Sequence, residues 1–95
     1  MFNWIETTDP NDLLARDGEW RLEIPWLRGS SKDGHAYCLV RYYSEGGQYS
    51  AQLFHGNRGY WLGSRNSKEE AMNTCISYLK KMALAMEEFL NGGLC

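Results

Sequence analysis

The stretch from Tyr60 to Ala71, where a strand pattern passes directly into a helix pattern, constrains the fold of this chain most. A capping box begins at Ser67, whose hydroxyl can accept a hydrogen bond from the amide of Glu70. Apolar residues then recur at spacings of three and four as far as Gly92-Gly93, which stops the pattern. The sequence therefore predicts a strand, followed by a long helix that starts at Ser67 and packs its apolar face on a sheet.

Three further strand patterns precede this junction. Glu19 to Arg28 alternates apolar and polar residues, and Pro25 within it favours an edge strand or a bend. Ala36 to Ser44 and Gln48 to His55 flank a glycine-containing turn and predict a hairpin. With the strand of the junction, at Tyr60 to Gly63 or Ser64, these patterns predict an antiparallel sheet of three to four strands.

The N-terminal part of the chain predicts one more element, a short helix from Thr8 to Gly18. Asp9 would cap it, Pro10 would occupy its first position, and Leu13 and Leu14 would hold it against the body of the protein. The expected fold class is therefore α+β, with this short helix, the antiparallel sheet and the long C-terminal helix. At 95 residues the chain is expected to form a single domain.

Composition and charge limit the function classes. The net charge of −2 argues against the broad basic surface of a non-specific DNA-binding protein. No apolar run approaches the ~20 residues that span a membrane, and the N-terminus lacks the pattern of a signal peptide. We therefore expect a cytoplasmic location, and the host cytoplasm if the protein is encoded by a phage.

Catalytic and metal-binding patterns are not recognisable in the sequence. Cys38, Cys75 and Cys95 are too widely spaced for a zinc motif, and the first two fit buried thiols that act as small hydrophobic residues. His35 and His55 lack a second ligand at a suitable spacing. The acidic residues fall at helix starts, turns and the solvent face rather than in a pair suited to acid–base catalysis. We expect a protein that is not an enzyme, with no metal and no cofactor.

Aromatic residues interleaved with arginines are the strongest candidates for a binding surface. Four tryptophans and six tyrosines are many for this length, so some rings are expected to be exposed. Rings beside arginines can stack nucleic-acid bases, and the same residue types dominate the energetics of protein interfaces. The candidate partner-binding or nucleic-acid-binding residues are Arg41, Tyr43, Tyr49, Arg58, Tyr60, Trp61 and Arg65.

The junction also resembles the AP2-type DNA-binding domains and the related arm-binding domains of phage integrases. The Trp-Leu-Gly-Ser stretch that leads into a Glu-Glu-Ala helix between Tyr60 and Ala71 carries the resemblance, together with Tyr49 to Leu53 and Val40-Arg41. It covers about Tyr37 to Leu79. The resemblance implies a three-stranded antiparallel sheet followed by a helix, with the sheet reading the major groove of DNA.

By that resemblance Arg41 and Arg58 would be DNA contacts, and Tyr49 and Trp61 would be aromatic contact positions. Phe54, however, occupies a position where the family carries a basic residue. Few basic residues are left for phosphate contacts, because ten lysines and arginines face twelve acidic residues in the chain. The charge therefore favours a protein partner over DNA.

Three hypotheses follow. The leading one is a small non-enzymatic protein that docks on a larger protein or nucleoprotein complex through its aromatic and arginine-rich sheet, as a phage or mobile-element factor of the anti-CRISPR or anti-nuclease type. The alternative is a sequence-specific DNA-binding module of the AP2 or integrase-arm type. A third is a homo-oligomer that associates through Trp20, Trp26 and Leu27. None of the three involves a membrane.

Overall fold

The structure, a computed structural model, describes residues 2–24, 36–55 and 58–92, and of the side chains those up to Ala85. These residues form a five-stranded antiparallel sheet and one α-helix, in which every strand pairs with its neighbours in sequence. The strands are β1 Ile5–Glu6, β2 Glu19–Glu23, β3 Ala36–Tyr43, β4 Gln48–His55 and β5 Arg58–Arg65, and the helix α1 is Lys68–Gly92.

The α+β class, the central hairpin and the start of the long helix are confirmed. β4 has the predicted bounds, and β3 ends one residue before Ser44. At the start of α1, the Glu70 amide donates to the Ser67 hydroxyl at 3.1 Å, as the capping box predicts. Within the described ranges, no helix combines the length and the apolar character needed to cross a membrane.

The predicted N-terminal helix is wrong, and turns replace it. The Asp9 and Asp12 carboxylates each accept a hydrogen bond from the backbone amide two residues later, at 3.0 and 2.9 Å. Such local bonds compete with helical hydrogen bonding and favour turns. Leu13 and Leu14 are 82% and 56% exposed, so they do not hold this segment against the body of the protein. Ala15, at 2% exposed, is the residue that is buried instead.

The prediction of at most four strands is also wrong, because β1 adds a fifth. Ile5 pairs with Arg21, and Glu6 pairs with Trp20. A two-residue strand is too short to show alternation of apolar and polar residues, so periodicity cannot predict it. The predicted strand from Glu19 to Arg28 is confirmed as far as Glu23, and its remainder from Pro25 onward lies outside the described residues.

The hydrophobic core lies between α1 and one face of the sheet. The helix contacts β3, β4 and β5, and many of the core residues at this interface are small. Small side chains allow the helix to approach the strands closely while interior packing density is kept. Among the described residues, those that form this core are Leu22, Ile24, Ala36, Cys38, Val40, Ala51, Leu53, Ala71, Cys75 and Leu79.

Two cysteines meet in this core. Cys38 on β3 and Cys75 on α1 are both free thiols with no exposed surface. The hydrogen bond with Cys75, together with burial, raises the pKa of the Cys38 thiol, so this group stays protonated at neutral pH. The interpretation of both residues as buried hydrophobic side chains is confirmed. Cys95 lies outside the described residues.

Candidate functional site

The sheet face opposite α1 is the main candidate surface, and we call it the open face. Residues directly opposite each other in an antiparallel pair share a face, so the register assigns each side chain to one side of the sheet. Because Cys38 and Val40 pack against the helix, the residues that alternate with them point away from it. The open face has three rows across β2 to β5: Glu19, Arg41, Ser50 and Ser64; Arg21, Leu39, Gln52 and Trp61; and Glu23, Tyr37, Phe54 and Gly59.

A stack of flat groups crosses the open face. The Arg21 guanidinium carbon lies 3.9 Å from the centre of the Tyr37 ring. The Tyr37 and Phe54 rings are stacked, with centroids 5.1 Å apart and an interplanar angle of 21°. Phe54 in turn covers Gly59, since a Cβ atom there would lie 2.8 Å from its ring. Each group limits the movement of the next, so this part of the face is held in one arrangement.

The charges of the open face are paired with one another. The Arg41 Nε donates to Glu19 Oε2 at 2.7 Å, and the Thr7 hydroxyl donates to Glu19 Oε1 at 2.6 Å. Burial works against the charge of Arg41, but the hydrogen bond and the negative charge of Glu19, together with the smaller contribution of Tyr43, outweigh it and raise the pKa of the guanidinium. Arg21 Nη1 lies 3.7 Å from Glu23 Oε1. Among the described residues of this face, two arginines and two glutamates thus leave no net charge.

Trp61 is the most exposed ring of the sheet. It lies on β5 opposite Gln52, at the end of the central row, with 61% of its surface exposed. Tyr43, at the end of β3, is on the same face and is also exposed. Leu39 in the middle of this row is buried, so the exposed apolar surface concentrates at the β5 edge. The open face therefore combines a neutral, hydrogen-bonding centre with an exposed indole at its margin.

The predicted residue Tyr49 belongs to the other face. Its ring lies 4.6 Å from the Tyr42 ring and 6.2 Å from the Trp20 ring, beside the helix-covered core. Trp20, one of the residues expected at an oligomer contact, is half-buried in the same cluster. Trp26 and Leu27, the other residues expected at such a contact, lie outside the described residues.

The remaining predicted residues, Arg58, Tyr60 and Arg65, lie on β5. Their partners on β4 are His55, Leu53 and Tyr49, so all three are on the helix side of the sheet. Arg58 and Tyr60 are exposed, and the Arg65 guanidinium donates to the Ser64 carbonyl at 2.7 Å. The seven predicted residues are therefore divided, with Arg41, Tyr43 and Trp61 on the open face and the other four on the helix side.

Register reveals functional candidates that the sequence prediction missed. Glu19, Arg21 and Phe54 shape the open face, although none of them was a predicted site residue. The charged residues that alternate along β2 indicate that one side of this strand is polar. Which residues they contact depends on the strand that lies beside β2, and the sequence does not show this. Among the described residues, no group of three histidine, cysteine, aspartate or glutamate side chains could hold a metal ion.

Comparisons with protein-family models, with curated proteins and with solved structures find no match to this chain. The resemblance to AP2-type and integrase arm-binding domains therefore stays a prediction.

Proposed function

We propose that the protein is a non-enzymatic binding protein that docks on a larger protein through its open face. One observation carries the proposal: the most exposed ring of the sheet, Trp61, adjoins a face on which both arginines already have glutamate partners. A DNA-binding surface needs cations that phosphates can approach. A neutral face with an exposed indole suits a protein partner better.

The physical chemistry of the open face suits recognition. Tryptophan is among the residues that carry most of the binding energy in protein interfaces, where neighbouring contacts exclude water from the ring. Gln52, opposite Trp61 on β4, is half-buried, and its side-chain amide donates to the buried Ser50 hydroxyl at 3.3 Å, which holds it in place beside the indole. Because the Arg21, Tyr37 and Phe54 stack is already ordered, docking costs little side-chain entropy there.

The partner class that suits this surface is a nucleic-acid enzyme of a bacterial host. A chain that resembles a phage DNA-binding module, but holds its open-face arginines in ion pairs, fits an accessory factor that binds the protein part of a nucleic-acid enzyme. We therefore propose that it inhibits or redirects such an enzyme in the cytoplasm of a bacterial host, as anti-CRISPR and anti-nuclease proteins do.

A pull-down from bacterial lysate tests the docking surface. The tagged wild type is expected to retain a protein in stoichiometric amount, and Trp61→Ala is expected to lose it, because removing a hot-spot ring weakens binding by about thirtyfold or more. Tyr78→Ala, on the exposed side of α1, is the matched control and should retain the partner. Retention of no protein, together with duplex DNA binding that falls steeply with salt, would refute the proposal.

DNA binding remains the second candidate because of Arg58. This side chain is exposed at the start of β5, and no ion pair involves it among the described residues. If DNA is the ligand, Arg58→Ala should weaken a gel shift and reduce the salt dependence of binding by about one phosphate contact. The absence of any shift with the wild type would exclude this function.

A further inference from the structure

We propose that the outer edge of β5 accepts an extended segment of the partner protein as a sixth strand, with acidic residues of that segment facing Arg58 and Arg65. This inference rests on the proposed function and specifies how the partner is held. It adds a backbone contact to the side-chain contact at Trp61. Recognition by strand addition uses main-chain hydrogen bonds for affinity and alternate side chains for specificity.

The two edges of the sheet are unequal. β1 closes one edge with only two residues, whereas β5 forms the other with eight. Among the described strands, β5 pairs only with β4, so its opposite side presents backbone N–H and C=O groups. Very short edge strands are one way in which proteins avoid unwanted pairing. The sheet uses this protection at β1 and does not use it at β5.

A bulge places the two arginines of β5 on the same side. Arg58 pairs with His55, and Arg65 pairs with Tyr49, which lies six positions away on β4. On β5 the two arginines are seven positions apart, and the register shift leaves Leu62 as the extra residue. A regular strand laid against β5 would therefore meet both arginines with side chains six positions apart. Opposite charges at these positions would stabilise the pair of strands.

The same charges disfavour a second copy of this chain as the occupant. An antiparallel pair of β5 strands centred on its midpoint would place Arg58 of each copy opposite Arg65 of the other. Like charges directly opposite each other destabilise a strand pair. The exposed rings of Tyr60 and Trp61 lie between the arginines, one on each side of the sheet, and would contact both faces of an added strand. The edge is thus suited to a different protein with acidic residues.

Two synthetic peptides test the inference directly on the full chain. Both alternate threonine and valine, and one carries aspartates six positions apart where the other carries lysines. The aspartate peptide is expected to slow hydrogen exchange of the outward amides of β5 and to bind at least about fivefold more tightly than the lysine peptide. NMR shift changes should be confined to β5 and its neighbours.

A charge-reversed variant provides the decisive comparison. Arg58→Glu/Arg65→Glu should reverse the preference between the two peptides, while Lys80→Glu/Lys81→Glu on α1, with the same change in net charge, should leave it unchanged. Equal binding of both peptides, no binding of the aspartate peptide, or protection elsewhere than β5 would each overturn the inference. If the lysate partner is lost with Trp61→Ala but kept by the charge-reversed variant, docking stands and strand addition fails.

Discussion

The two faces of the sheet are built from the same strands but differ in chemistry. On the helix-covered face, residues such as Val40 and Leu53 are small or aliphatic and fully enclosed. On the open face, the alternate residues of these strands form a ring stack and ion pairs. The first face supplies most of the free energy of folding through burial of apolar surface. The side chains of the open face are therefore available for binding a partner. Because its arginines are paired with glutamates, this face is poorly suited to bind a polyanion such as DNA.

The largest expected effect is a loss of folding stability, and it distinguishes a core residue of the helix-covered face from an exposed residue of the open face. Leu53→Ala removes a side chain that is 2% exposed under α1, and we expect it to lower the free energy of unfolding by about 2–5 kcal/mol. Trp61→Ala removes a larger but exposed side chain, and its effect should stay within about 0.5 kcal/mol. Urea denaturation followed by circular dichroism measures both.

A reversed order of these two effects would contradict the assignment of the faces. If Trp61→Ala proved the more destabilising of the two variants, the ring would belong to the core and could not serve as a free contact residue. Equal loss of stability would show that both faces are covered in solution.

The next effect, of intermediate size, concerns the ion pair of the open face. Glu19→Gln leaves the Arg41 guanidinium without its charged partner at a site where the two side chains are only 9% and 19% exposed. Loss of a partner for a mostly buried charged group costs about 1–3 kcal/mol, so a destabilisation of that size is expected. Thermal unfolding at neutral pH provides the measurement.

Glu23→Gln is the matched control for that ion pair. Its carboxylate lies 3.7 Å from Arg21 and is half exposed, so its loss should change stability by only about 0–1 kcal/mol. An equal effect of the two substitutions would mean that Glu19 is no more important than a surface charge. The neutral character of the open face would then rest on weak pairs that a phosphate group could displace.

The parts of the fold that the sequence predicted are those with local signals. The cap at Ser67 and the apolar spacing that follows are contained within α1 itself, and the hairpin depends on a turn between two adjacent strands. The N-terminal segment was mispredicted because Asp9 and Asp12 satisfy backbone amides in turns as readily as at a helix cap. β1 was missed because its pairing with β2 is a tertiary contact.

The candidate site was predictable only in its residue types. Both alternating sets from Tyr37 to Tyr43 are rich in apolar or aromatic residues, so periodicity did not show which set would face the helix. Arg41 and Trp61 were named, but the partner of Arg41, Glu19, lies 22 positions away in the chain. Charge neutralisation across that distance depends on strand register. The sequence could suggest arginines on a surface, but not whether they would be free.

The smallest expected effect concerns Asp17, whose carboxylate is exposed at the end of the sheet, whereas that of Glu19 is enclosed. Asp17 Oδ2 accepts hydrogen bonds from the Ser44 hydroxyl at 2.8 Å and from the Ser44 amide at 3.3 Å. The side-chain bond and then the backbone bond lower the pKa of Asp17 from its usual 3.8. A pKa that is lower in the folded than in the unfolded chain stabilises the fold above the unfolded value, and this contribution disappears as the pH falls through the folded value.

Ser44→Ala should therefore raise the pKa of Asp17 towards its ordinary value, without restoring it fully because the backbone amide still donates. Carbon-13 NMR titration of the Asp17 carboxyl group in both proteins measures this shift. The small stability difference between the two proteins at neutral pH should disappear as the pH falls through the lowered pKa of Asp17 in the folded wild type. Identical titration curves of Asp17 in the two proteins would show that the contact with Ser44 is absent in solution. If Ser44→Ala lost as much stability as Glu19→Gln, exposed and enclosed carboxylates would contribute equally. The neutral open face depends on the difference between them.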